Sequence, residues 1–263
     1  MENKYDEFYF ENDTNYPAKV YWNLYDEDKK EAIEKYDGHM FCPLCKLAPL
    51  TVAKGNQRRY FKVVESDMDK HSEDCSYRNK KATKRETRNF YNDLDKTDIK
   101  NRLISCLNRM LKKTFGKTSV ERTAISVKNK IKSNFFDFKG DNYKDKYLPH
   151  KNFNVGKLDD EIDVQKIYYG KCSLYMIKYI SDDEGEVKKY FLKVLDQDSK
   201  KQICDIVISP TVYNYLKNDL NDIPEDKENA ENYYLCFSGI LEKNGIFYKC
   251  KLKDSRLIVL EKE

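Results

Sequence analysis

A chain of 263 residues, 40% hydrophobic and 13% aromatic, has enough apolar surface for one large or two small domains with linkers. No apolar run approaches the ~20 residues of a membrane span, the acidic N-terminus does not read as a signal peptide, and cysteines at metal-type spacing fit a reducing, cytoplasmic setting better than a secreted disulfide framework. The net charge of +4 is unevenly spread: residues 1–41 hold 5 Lys/Arg against 11 Asp/Glu, while residues 76–152 hold 21 against 8.

In chain order, residues 1–17 read as an acidic, tyrosine-rich arm. Ala18–Trp22 alternates like a short strand, and Trp22 is expected to anchor a small core. Asp26 is a candidate cap for a helix Glu27–Tyr36, which Gly38 would end.

Next comes Cys42-Pro43-Leu44-Cys45 and, 25 residues on, His71-x3-Cys75. Two short-spaced pairs of thiolate and imidazole donors suit a tetrahedral zinc ion, and four donors close its shell, which marks a structural rather than a catalytic site. Pro43 suits a tight turn between the first two sulfurs. Positions four apart share one face of a helical turn, so His71 and Cys75 are expected to open a helix. His39 is an alternative to His71. Between the pairs, Leu50–Ala53 and Arg58–Val64 flank Lys54-Gly55-Asn56-Gln57 as a β-hairpin. The remaining cysteines, Cys106, Cys172, Cys204, Cys236 and Cys250, fall singly in apolar surroundings.

The run Phe41–Cys45, the Gly55 turn, Tyr60-Phe61 and His71-x3-Cys75 resemble the N-terminal zinc module of CoiA-like competence proteins, over about residues 39–80. Tyr60 stands where those modules carry a histidine. The resemblance implies a nucleic-acid context; it carries no catalytic residue across, and the nuclease domain of that family has no counterpart here.

After Cys75 the densest basic run is Arg78–Arg88. Its Lys80, Lys81, Lys84, Arg85 and Arg88, with Arg58 and Arg59 of the hairpin, are candidate phosphate contacts. Thr97-Asp98 precedes an amphipathic helix whose stripe is Ile99, Leu103, Leu107, Met110 and Leu111, with Gly116 as the stop. Residues 117–152 read as loops and a linker, with His150 at the surface.

From Ile167 the texture turns to strands: Ile167–Ile180, Val187–Leu195 and Lys201–Ser209, a helix from Pro210 carrying Val212, Tyr213, Leu216 and Leu220, then Tyr233–Leu241 and Ile246–Leu260 around a Lys-Asn-Gly turn. Three strands, a helix and two strands is the element order of an OB-fold, a five-stranded Greek-key barrel. Gly170 suits the bend that closure requires. The expected architecture is α+β: an acidic arm and zinc-binding module (1–80), a basic helical region and linker (81–152), and an OB-like barrel (153–263). Strand parity puts Tyr190, Leu192 and Val194 inward, and likewise Ile246, Tyr248, Cys250 and Leu252. Lys189, Phe191 and Lys193, and Phe247, Lys249 and Lys251, then point outward as candidate stacking and phosphate contacts.

Three functions compete. The first is a non-catalytic protein binding single-stranded or irregular DNA or RNA. The second is a protein-interaction module in which zinc only stabilises. The third is a metal-dependent nuclease using Asp182 or Asp183 with Glu186-Val187-Lys188, a tripeptide that a Glu- and Lys-rich chain produces by chance.

Overall fold

The computed structural model describes residues 4–11, 14–54, 59–93, 96–115, 136–140, 144–154, 158, 163–181, 185–245 and 247–263. It is a mixed α+β structure of two compact units: Met1–Phe90 with Lys112–Gly156, and Tyr91–Leu111 with Lys157–Glu263.

The first unit begins with the antiparallel pair β1 (Glu7–Phe10) and β2 (Thr14–Pro17). Tyr5, Phe8 and Phe10 are buried, and the Phe8 ring meets Tyr16, Tyr36 and Phe61 with centroids 5.4–5.8 Å apart. The N-terminal residues are therefore core rather than an arm, because some of their partners lie more than fifty residues away in sequence. Ala18–Trp22, expected as a strand, opens α1 (Ala18–Glu27); five residues are too few to separate a period of 2 from one of 3.6. Tyr21 is fully buried, and Trp22 stacks on Phe61 at 5.2 Å. The cap of α2 (Lys29–Tyr36) is Asp28, not Asp26: its carboxylate accepts from the backbone N–H groups of Lys30 and Glu31. Gly38, at φ +83°, follows the helix end in the left-handed region.

Within the stretch expected as a hairpin, β3 (Thr51–Lys54) and β4 (Arg59–Lys62) pair antiparallel in register Thr51↔Lys62 to Lys54↔Arg59. Its Gly55 turn and Arg58 lie outside the described residues. Farther on come β5 (Lys80–Lys81), α3 (Lys84–Asp93) and α4 (Lys96–Phe115). Thr83 and Glu86 form a capping box at the start of α3: the Thr83 N–H donates to Glu86 Oε2 at 2.8 Å and the Glu86 N–H to Thr83 Oγ1 at 3.3 Å. Part of the stretch read as linker is sheet: β6 (Asp137–Lys139), β7 (Asp145–Tyr147) and β8 (His150–Asn152), with β7 antiparallel to β6 and parallel to β5. Phe136, Phe138, Tyr147 and Leu148 are buried apolar side chains of this stretch, too sparse among charges to show a period. Residues 117–135 and 141–143 of that linker reading, and the helix stop expected at Gly116, lie outside the described residues.

In the second unit, the α4 stripe buries Ile99, Leu103, Cys106 and Leu107, with Met110 and Leu111 half-buried. The Arg102 guanidinium meets Asp98 at 3.0 Å, one turn back. The sheet strands are β9 (Lys166–Ile180), β10 (Val187–Leu195), β11 (Gln202–Ile208), β12 (Glu231–Gly239), β13 (Leu241–Asn244), β14 (Phe247–Leu252) and β15 (Ile258–Lys262), with α5 (Pro210–Leu220) between β11 and β12. They pair in the order β13-β14-β11-β10-β9-β12-β15. All these pairs are antiparallel except β11 with β14. The sheet is curled. Ile240 alone separates β12 from β13, so one run of chain supplies the strand at one end of the path and the next-to-last strand at the other. At that corner a Cβ on Gly239 would overlap the Cys250 sulfur, so the backbone passes over the thiol only because residue 239 has no side chain.

The expected last strand, Ile246–Leu260, is two strands. Asp254 breaks it, accepting from the Arg256 N–H at 3.0 Å and binding its guanidinium, and β15 turns to pair with β12 while β14 stays on β11. The interior is aliphatic and sulfur-rich: Leu174, Leu192, Val194, Ile206 and Leu235 lie with Cys172, Cys204, Cys236 and Cys250, and Cys106 of α4 is equally buried. Among the described residues, no helix is long and apolar enough to cross a membrane.

Candidate functional site

Cys42, Cys45, His71 and Cys75 each point one donor atom into a common point, all four atoms within 4.8 Å of one another. The first pair sits on a tight turn: the Lys46 N–H donates to Cys42 O at 2.9 Å and the Cys42 N–H to Ala48 O at 2.8 Å. Lys46 completes the turn at φ +63°. Asn15 of β2 braces it, donating from Nδ2 to Pro43 O at 2.9 Å. The second pair does not open a helix. His71 ends one 3-10 segment (Glu65–Lys70) and Cys75 precedes another (Ser76–Arg78), both residues with extended backbone. His39 is exposed and outside the cluster.

The spacing is compatible with a tetrahedral zinc site. Bonds of about 2.3 Å to sulfur and 2.05 Å to nitrogen in a tetrahedron put two sulfurs about 3.8 Å apart and a sulfur and nitrogen about 3.6 Å apart. Here Cys42 Sγ and Cys75 Sγ are 3.9 Å apart, and His71 Nδ1 is 3.4 Å from the sulfurs of both Cys45 and Cys75. The first distance is also far too long for a disulfide. Burial pushes the Cys42 thiol up to about 12. Hydrogen bonds from Cys42 and Cys75 drive the Cys45 thiol far down, and Cys75 is driven far up by the sulfurs beside it. These opposite shifts arise from three thiols crowded into one buried volume, where a charge on one disfavours a charge on the next. The four residues lie close enough to hold a metal ion.

The basic candidates are gathered on two elements. Lys80 and Lys81 form β5, and Lys84, Arg85 and Arg88 lie on the first turns of α3; all five are exposed. Arg59 on β4 is differently used: its guanidinium lies over the rings of Trp22 and Tyr25, at 5.6 and 5.5 Å, and is ion-paired to Asp26.

On the sheet, Leu192 and Val194 are buried, as are Cys250 and Leu252, while Lys189 and Lys251 are exposed and Phe247 is 44% exposed. Phe191 is half-buried beneath the ammonium groups of Lys193 and Lys249, 5.4 and 5.7 Å from its centroid. Lys193 is in turn held by Asp205 at 2.9 Å. Register brings these residues together, since directly paired residues share a face. Phe191 pairs with Val207 and Lys193 with Asp205 across β10 and β11, and these pair with Lys251 and Lys249 across β11 and β14. The same face continues onto β9, where Tyr175, Ile177 and Tyr179 sit opposite Lys193, Phe191 and Lys189. Ile177 is 41% and Tyr179 56% exposed. Sequence reasoning missed these three; the period-2 pattern of β9 gave the signal, but without the pairing it does not say which face they join. Ile246, and the Asp182 and Asp183 of the nuclease reading, lie outside the described residues; Glu186 and Lys188 sit at the start of β10. His150, expected at the surface, is half-buried, stacked on Phe136 at 3.8 Å and bonded to Tyr77.

No family model, curated protein or solved structure matches this chain.

Proposed function

We propose that this is a non-catalytic nucleic-acid-binding protein, with a structural zinc ion at Cys42, Cys45, His71 and Cys75, that holds single-stranded or irregular DNA or RNA on the outer face of an OB-like barrel. The observation that carries the reading is the face shared by β9, β10, β11 and β14. It sets Tyr179, Phe191 and Phe247 among Lys189, Lys193, Lys249 and Lys251. Aromatic rings stack bases of any identity, and ammonium groups between them hold the phosphates. The exposed cluster on β5 and α3 supplies further phosphate contacts without sequence information.

The barrel reading draws support from topology: an antiparallel β9-β10-β11 meander, a helix, return to β9 by β12, a parallel β11–β14 pair, and the β12–β13 run meeting both β9 and β14. The zinc reading draws on the donor set: three thiolates and an imidazole suit zinc, and with no ligand position open the ion's part is to hold the fold. Zinc binding there would be folding energy, and no chemistry is asked of it.

Fluorescence anisotropy of labelled random-sequence oligonucleotides, single- and double-stranded and over a range of salt, tests the function. Binding that prefers single strands, weakens with salt and drops in the Phe191→Ala/Phe247→Ala double variant is expected. A folded double variant with unchanged affinity removes the sheet face from the reading. A protein-interaction module is the second reading. It is favoured by the pairing of Lys193 to Asp205 and by the exposed apolar Ile177 and Ile180; salt-independent capture of a protein in place of nucleic acid would select it.

A further inference from the structure

Two buried tyrosines of the first unit meet edge to face, with centroids 4.7 Å apart, and each hydroxyl addresses a different histidine. Tyr77 Oη lies 2.8 Å from Nε2 of His150, a ring outside the sulfur cluster. Tyr5 Oη lies 3.3 Å from Nε2 of His71, whose Nδ1 faces the sulfurs of Cys45 and Cys75. Both Tyr5 and His71 are at most 3% exposed, so bulk water does not compete for that nitrogen. The Tyr5 backbone is fixed too, its N–H donating to Phe61 O at 3.2 Å. Farther along the same segment, Tyr9 exchanges backbone hydrogen bonds with Phe41, the residue before Cys42. The N-terminal strand thus touches the chain at both halves of the donor set.

An imidazole that binds a metal through one nitrogen must place the N–H of the other, and the acceptor of that N–H fixes tautomer and ring plane. We propose that Tyr5 is a positioning residue for His71: its oxygen accepts the Nε2–H and so leaves Nδ1 bare toward the thiolates and their metal. The inference rests on the metal reading above and names the residue that prepares its only nitrogen donor.

The test compares full-length Tyr5→Phe with Tyr77→Phe, each of which keeps the ring packing and deletes one hydroxyl. Zinc affinity is read by competition with a chromophoric chelator, and ligand geometry by the visible spectrum of the cobalt(II)-substituted protein. Tyr5→Phe should lower zinc affinity about 10–100-fold, well beyond its own loss of folding stability, and shift the cobalt bands, while Tyr77→Phe should leave the cobalt bands in place and lower affinity by no more than its loss of folding stability. A second pair of variants covers a Tyr5→Phe chain that folds poorly. In a His71→Cys background the fourth ligand has no second N–H to place, so adding Tyr5→Phe should cost no zinc affinity. Equal losses in Tyr5→Phe and Tyr77→Phe, or an equal loss from Tyr5→Phe in both backgrounds, would overturn the role of Tyr5 and leave the metal centre standing. Wild-type protein without stoichiometric metal would instead take away the metal reading itself, before any variant is compared.

Discussion

Among the described residues of the first unit the longest strands have four residues, whereas β9 in the second unit has fifteen. The packing differs in kind as well. The first unit buries rings (Tyr5, Phe8, Phe10, Tyr21, Tyr36 and Phe61), the second mostly aliphatic and sulfur side chains. A long ladder satisfies its own backbone polar groups and brings a continuous face with it. Elements of two to four residues do neither, so their loops must be tied by side chains. In the first unit those ties are the Asn15–Pro43, Asn152–Glu7 and Lys151–Asp6 contacts and the four-donor cluster. The contrast teaches that a cross-link carries the most weight where regular structure is shortest.

The largest difference between the two units is expected on removing the proposed zinc. Site formation of this kind is worth on the order of 10–16 kcal/mol at neutral pH. Chelation, or Cys45→Ser, should therefore unfold the first unit while the second keeps its β-type circular dichroism and a cooperative melt. Metal analysis finding no zinc, or a melt indifferent to chelator, would sink the idea.

Next in size is the basic surface of the first unit. In the nucleic-acid reading proposed above, neutralising Lys80, Lys81, Lys84, Arg85 and Arg88 would remove up to five phosphate contacts, about 3.5 units of the log–log salt slope for a single strand. Affinity for every sequence should fall alike; an unchanged slope leaves these side chains as a solvated face. In the second unit, Gly239→Ala forces a methyl group onto Cys250 and should cost about 1–3 kcal/mol, read from urea unfolding followed on the sheet. A neutral result there would mean that the β12–β13 corner yields easily. The smallest effects belong to single rings on the sheet face. Phe247→Ala should weaken oligonucleotide binding about tenfold, the equivalent of 1.4 kcal/mol, with folding unchanged. Phe191→Ala should do less, since two lysines already lie over that ring and a base must displace them.

Much of the candidate site was legible because its information is local. Cys42–Cys45 and His71–Cys75 each declare themselves within five residues, and on β10 strand parity separated the buried Leu192 and Val194 from Lys189. What the sequence hid depends on distant partners. Tyr5 meets a ligand 66 positions away, and nothing near it announces that. The helix expected at His71 failed because i,i+4 spacing is necessary for a shared helical face but not sufficient for a helix. Metal donors need only converge, and two 3-10 turns achieve that. The split between β14 and β15 was hidden for a related reason: an Asp254–Arg256 contact is a short side-chain bond that no hydrophobic pattern records.

The sulfur placement has a practical consequence. Three thiols share the four-donor cluster, while Cys106, Cys172, Cys204, Cys236 and Cys250 are sealed in the second unit, at most 1% exposed. Burial drives the Cys172, Cys204 and Cys236 thiols well above their ordinary range, so only an opened sheet presents them to an alkylating reagent as reactive thiolates. The chain therefore carries two built-in clocks. The first, of three sulfurs, would be started by loss of the proposed zinc, and the second, of five, by opening of the sheet, so mass-resolved pulse labelling would time each unit's excursions separately without adding any probe.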